Sequence, residues 1–109
     1  HLIGERQFSL MKKSACLVNL ARGGVVDEDA LYRALSERRI AGAAIDVMET
    51  EPPRRDHPLL GLDNVILSPH IGGSTREAQK RGEWGAAEEV VRVLEGKAPR
   101  NPVFPLSVL

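Results

Sequence analysis

Short apolar runs alternate with amphipathic stretches along this chain, and that alternation restricts its fold more than any other feature. The runs lie at 15–20 (ACLVNL), 42–47 (GAAIDV) and 64–67 (NVIL). Compact runs of this length read as buried strands. Between them, residues 5–12 carry Phe8 and Met11 at helical spacing. Asp27 can cap a second helix, with Glu28 and Asp29 favourable in its first turn and Leu31, Ala34 and Leu35 as its apolar stripe. Arg38 and Arg39 suit that helix's C-terminal end, and Gly42 lies just past it. Glu51, Pro52 and Pro53 stop regular structure, and 53–62 reads as a polar surface loop. Ser74, with Glu77 three residues later, opens a long helix through a capping box. Its expected buried side is Ala78, Ala87, Val90, Val91 and Leu94, and Gly96 ends it. Strands alternating with helices imply right-handed crossovers and a parallel sheet, so the expected class is α/β. Three strands are few for a complete sheet of this class, and the chain reads as half of a larger unit.

Composition narrows the functional classes. The 109 residues carry 15 Lys and Arg against 15 Asp and Glu, so no long-range field draws the chain to nucleic acid or an acidic membrane. Aromatic residues make up only 4%, too few for a base-stacking platform. No apolar run approaches the length needed to span a bilayer. The single Cys16 has no internal disulfide partner, which fits a reducing cytoplasm, and its place in an apolar run suggests a small buried hydrophobe. No Cys and His spacing fits a zinc site.

Four polar residues stand at the ends of these runs: Arg22, Asp46, Glu51 and His70. In an open parallel sheet the C-terminal strand ends form one rim, and ligands bind along it. Arg22 precedes two glycines, which allow a ligand to approach the backbone, and a guanidinium can grip a carboxylate through two hydrogen bonds. A surface ion pair with Asp27 or Glu28 suits Arg22 equally well. Asp46 sits in an apolar strand, where a carboxylate needs a partner: a ligand amide, an arginine, or a neighbouring loop that it caps. Glu51 and His70 make sense as a pair, because a carboxylate on one ring nitrogen orients imidazole for acid–base work, whereas singly they read as a solvated loop residue and a polar strand end facing water. His57 lies in a Pro- and Arg-rich loop without glycine context and reads as structural or exposed.

Taken together, VNLARGGVVDEDAL, GAAIDVMETEP and NVILSPHIGGST resemble the C-terminal signatures of the D-isomer-specific 2-hydroxyacid dehydrogenases, which include D-3-phosphoglycerate and glyoxylate/hydroxypyruvate dehydrogenases. The resemblance implies a partial Rossmann-type three-layer sandwich, C-terminal half only. Residues 1–97 would form half of the NAD-binding domain, and 98–109 an extended tail toward a substrate domain. By the same resemblance Arg22 holds the substrate carboxylate, His70 is the general acid–base and Glu51 pairs with it. Leu20, Ala21, Arg22, Asp46, His70, Gly72 and Gly73 would line the cofactor. That cofactor is NAD by default, with NADP left open. The implied reaction interconverts a D-2-hydroxy acid and a 2-keto acid by hydride transfer in a cytoplasmic homo-oligomer.

The sequence contains no G-x-G-x-x-G phosphate turn, so weak cofactor binding by these residues alone is expected. Two alternatives stay open. One is a non-catalytic module that self-associates through an uncovered strand edge or needs a partner chain. The other is a binding-only relative of the C-terminal-binding corepressors.

Overall fold

The computed structural model describes residues 1–102. By internal contacts the chain forms two compact units, His1–Gly72 and a second that begins at Gly73. In the first unit, helix α1 (Glu5–Ser9) precedes strand β1 (Cys16–Asn19), and helix α2 (Glu28–Ser36) leads into strand β2 (Gly42–Ile45). Strand β3 (Val65–Leu67) completes the unit, and short 3-10 turns occupy Gly23–Val25 and Pro58–Gly61. The strands are parallel in the order β1-β2-β3. The α/β class and parallel sheet expected from the alternating pattern are therefore present.

Asp27 caps α2 as expected, its Oδ1 accepting the Ala30 amide at 2.8 Å. The helix stops at Ser36, and Arg38 takes the left-handed conformation with φ at 54°. Gly42 is thus not the cap residue but the first residue of β2. Arg38 binds both Asp63 oxygens, at 2.7 and 2.9 Å, and Arg39 pairs with Glu5 and Glu37. These pairs tie the end of α2 to the start of β3 and to α1.

The core lies on one face of the sheet. Phe8 from α1, Leu31, Ala34 and Leu35 from α2, Ala43 and Ile45 from β2, and Leu59 form one buried cluster. Leu59 corrects the reading of 53–62 as a polar surface loop: the turn at Pro58–Gly61 drives it into the core with no exposed surface. The register places Val18, Ala44 and Ile66 side by side on the opposite face, where Val18 is 61% and Ile66 72% exposed. Within this unit the helices α1 and α2 cover one face of the sheet. Cys16 belongs to the same uncovered side of an edge strand and is exposed, not buried as its apolar surroundings suggested.

In the second unit, helix α3 spans Arg76–Leu94. Its cap is Thr75, whose Oγ1 accepts the Ala78 amide at 3.1 Å, and not Ser74. None of its residues is buried, and the expected inner positions Val90, Val91 and Leu94 are exposed. Gly96 follows it with φ at 76°, while 103–109 of the expected tail lie outside the described residues. No helix among the described residues is long and apolar enough to cross a membrane.

The one-sided core gives a direct test. Leu35→Ala should lower the unfolding free energy of the 109-residue chain by about 2–5 kcal/mol, through lost burial and a residual cavity. Ile66→Thr, on the open face, should change it by no more than about 0.5 kcal/mol. Urea denaturation of the two variants reads both. Equal losses would contradict the one-sided core.

Candidate active site

Backbone bonding continues past the strands and fixes their C-terminal ends. The Asp46 amide donates to the Asn19 carbonyl at 3.0 Å, and the Ser68 amide to the Ile45 carbonyl at 3.0 Å. Beyond β1 the buried Asn19 side chain shapes the turn. Its Oδ1 accepts the Ala21 amide at 3.1 Å and its Nδ2 donates to the Arg22 carbonyl at 3.0 Å. Arg22 is thereby presented at the surface, where Nη1 donates to the Ala21 carbonyl at 2.7 Å. Asp27 and Glu28, its possible surface partners, are engaged elsewhere. Gly23 serves a purpose other than ligand approach: a Cβ there would lie 2.0 Å from the Met48 carbonyl oxygen. It lets the turn after β1 press against the backbone that follows β2.

Asp46 is buried and holds the whole turn after β3. Its Oδ1 accepts the Ser68 hydroxyl at 2.6 Å and the Ile71 amide at 2.9 Å, and its Oδ2 accepts the Gly72 amide at 2.8 Å. These donors, the Ser68 hydroxyl first and then the two amides, keep its carboxyl below the usual range. Of the three partners open for Asp46, the neighbouring loop is the one it contacts here. A carboxylate offers about four acceptor positions, so one remains for a further donor. Gly72 is also needed for packing, since a Cβ would fall 2.7 Å from Leu20 Cδ2 and 2.9 Å from Asp46 Oδ2. Leu20, Asp46 and Gly72 are therefore gathered at one point, whereas Gly73 belongs to the second unit.

His70 rides on that turn with φ at 55°, its amide bonded to the Asp46 carbonyl at 2.9 Å and the Ser68 carbonyl at 3.0 Å. Its Nδ1 lies 2.8 Å from Glu51 Oε2. A carboxylate only accepts, so Nδ1 carries the proton and Nε2 is the ring nitrogen not engaged by Glu51. Glu51 is itself fixed, its Oε1 accepting the Met48 amide at 2.9 Å. A cleft of about 310 Å³ is lined by Arg22, Gly23, Gly24, Met48, Glu51 and His70. The guanidinium, carboxylate and imidazole expected from the sequence thus meet in one place, while Asp46 supports the turn beneath them.

His57 is structural, as expected: Nδ1 accepts the Leu59 amide at 3.3 Å and Nε2 lies 3.1 Å from Glu28 Oε2. Sequence reasoning missed Asn19 and Ser68. Asn19 carried a signal, a polar residue closing an apolar run. Ser68 carried none, because its partner Asp46 is 22 residues away.

The family described as D-isomer specific 2-hydroxyacid dehydrogenase, NAD binding domain, matches residues 1–72. The chain belongs to this family. It is 55% identical over 103 residues to D-3-phosphoglycerate dehydrogenase of Methanocaldococcus jannaschii, covering 94% of this chain and 20% of that protein. It is 50% identical over 103 residues to glyoxylate reductase of Aeropyrum pernix, covering 94% of this chain and 31% of that protein. A D-isomer specific 2-hydroxyacid dehydrogenase from Xanthobacter autotrophicus Py2, solved with NADPH and MES, superposes with a TM-score of 0.81 at 32% identity. That match covers 99% of this chain and 44% of the other. The chain thus spans about a fifth to a third of the length of these two curated relatives.

The residues of this 2-hydroxyacid dehydrogenase domain fit the reacting end of a nicotinamide cofactor. The cleft joins a carboxylate–imidazole pair to a guanidinium, and Asp46 beneath it retains an acceptor position for an amide. The pyrophosphate end finds no glycine-rich phosphate turn in this sequence.

The Glu51–His70 bond has a measurable signature. The His70 hydrogen bond, followed by the Met48 amide, holds the Glu51 carboxyl below its ordinary value of 4.5. A depressed folded-state pKa means that ionised Glu51 stabilises the fold above that ordinary value. The contribution is lost as pH falls through the lower folded value. His70→Ala removes the largest cause, so Glu51 should then titrate closer to 4.5 in a carboxyl-carbon NMR titration. An unchanged midpoint would show that the histidine does not hold the carboxylate.

Proposed function

We propose that this chain supplies the acid–base and carboxylate-binding residues of an NAD-dependent dehydrogenase that interconverts a D-2-hydroxy acid and a 2-keto acid. The observation that carries this reading is the Glu51–His70 pair sharing a cleft with the Arg22 guanidinium. Arg22 grips the substrate carboxylate through a two-pronged contact and fixes the 2-carbon relative to His70. The His70 Nε2 proton passes to the 2-keto oxygen during reduction and returns during oxidation. Glu51 keeps the Nδ1 proton in place and orients the ring so that Nε2 faces the substrate. Bound nicotinamide supplies the hydride. Members named for D-3-phosphoglycerate and for glyoxylate support a small 2-keto acid as substrate class.

Association with a second chain is a further part of the reading. The edge strand β1 and the exposed Val18 and Ile66 favour a covered state, in a homo-oligomer or against further protein. The free, exposed Cys16 thiol supports a reducing, cytoplasmic setting.

In the full-length protein that carries this chain, His70→Ala should lower kcat for NADH-dependent reduction of glyoxylate or hydroxypyruvate by about 10²–10⁴-fold, the usual contribution of general acid catalysis. Arg22→Ala should raise KM for the keto acid and lower kcat/KM by at least about tenfold, consistent with the lost charge-assisted bonds. Steady-state kinetics with a fixed NADH concentration separates the two effects. Full turnover in His70→Ala would overturn the assigned proton transfer.

A further inference from the structure

The Glu51 carboxylate sits on a long irregular segment between β2 and the turn at Pro58–Gly61, yet it must hold His70 within hydrogen-bond distance. Acid–base geometry of this kind is productive only when its supports are rigid to within about 0.5 Å. One side chain from outside the segment grips it at two points. Glu28, the first residue of α2, accepts the Glu49 amide on Oε1 at 2.8 Å. Its Oε2 lies 3.1 Å from His57 Nε2. Glu49 returns the contact, its Oε1 accepting the Glu28 amide at 3.4 Å. The two grips bracket Glu51 in the chain, one shortly before it and one shortly after.

The chemistry of the outer grip is fixed. His57 Nδ1 accepts the Leu59 amide, so the ring proton is on Nε2 and points at Glu28. Leu59 is fully buried, which roots the ring in the core. The Glu28 and His57 side chains are 14% and 21% exposed, far less than the 38% and 48% of Glu51 and His70. The bracket is therefore more sheltered than the pair it frames. Glu28 also stands in the first turn of α2, where the helix dipole favours a carboxylate.

We infer that Glu28 is a positioning residue for the Glu51–His70 pair, acting through the Glu49 backbone and the His57 ring. Glu28 touches neither member of the pair. It sets where the segment carrying Glu51 lies, and α2, packed in the core, supplies the rigidity. The inference rests on the proposed function for what the pair does, and on the observed contacts for how the pair is held.

The test is an NMR titration of the protein that follows the Glu51 carboxyl carbon and the His70 ring nitrogens. Glu51 is faced by His70 and Asp46, so both are followed with it. Asp63, held low by Arg38 at a separate site, reports the integrity of the fold. In Glu28→Ala, Glu51 should titrate higher than in the unaltered protein and His70 Nδ1 should lose its hydrogen-bonded signature, with Asp63 unchanged. Unaltered Glu51 and His70 beside an unaltered Asp63 would overturn the inference. If Asp63 also reverts, the variant has unfolded and His57→Ala decides, because it removes the outer grip and leaves the Glu28 contact with the Glu49 amide in place. An upward Glu51 shift in that variant supports the positioning role, and an unmoved one overturns it. Turnover of His70→Ala tests the proposed reaction independently, so either reading can fail alone.

Discussion

The site depends on one buried carboxylate. Asp46 follows β2 directly, and the turn after β3 is organised around its oxygens. A carboxylate removed from water needs hydrogen-bond donors, and here a hydroxyl and two amides of a neighbouring loop supply them. The requirement runs both ways, because those amides lie beyond the last strand and have no sheet partner of their own. Their mutual satisfaction fixes the turn, and the turn holds His70 in a left-handed conformation that a bulky side chain seldom adopts unsupported.

The other members of the cleft are held by the same kind of bonding. Arg22 is carried by a turn that the Asn19 side chain bridges. Glu51 is tied to the Met48 amide, and Met48 lies against Gly23 in a contact that no larger residue would permit. Arg22, Glu51 and His70 come from three separate connections: Asn19 and Glu51 bond backbone two or three residues away, and Asp46 reaches across to the turn after β3. The parallel sheet brings the strand ends to one rim, and the side-chain bonds convert that rim into a defined cleft.

Much of this was legible in the sequence because the governing physics is local. Short apolar runs, a Ser, Thr or Asp before a helix, and polar residues at strand ends all act within a few residues. Strands β1 to β3 and the Asp27 cap were legible for that reason, whereas Arg22, Glu51 and His70 stood out through the joint pattern of three segments that resembles the family. The differences arise where the deciding contact is distant. Leu59 is buried because a 3-10 turn rotates it into a core built from α1 and α2, and no periodicity announces that. Cys16 is exposed because only one face of this sheet is covered, a property of the whole unit that its own apolar run cannot encode. Ser74 and Thr75 offer equivalent hydroxyls, and the backbone path into α3 selects the second.

The contrast between the two faces of the sheet bears on what the chain can do. Arg22, Glu51 and His70 lie on the connections beyond the strands, in the unit whose core lies on one face of the sheet. Val18 and Ile66 on the other side contribute nothing to that core, and burying them would bring roughly 1.5–3 kcal/mol each. Covering that face therefore has a favourable free energy of its own, separate from the contacts that build the cleft. Association with further protein can stabilise the domain without altering the Asp46 turn or the Glu51–His70 bond, because none of their partners lies on Val18 or Ile66. The acid–base geometry is thus set within residues 1–72, while the demand for a covering layer is set by the opposite face of the same strands.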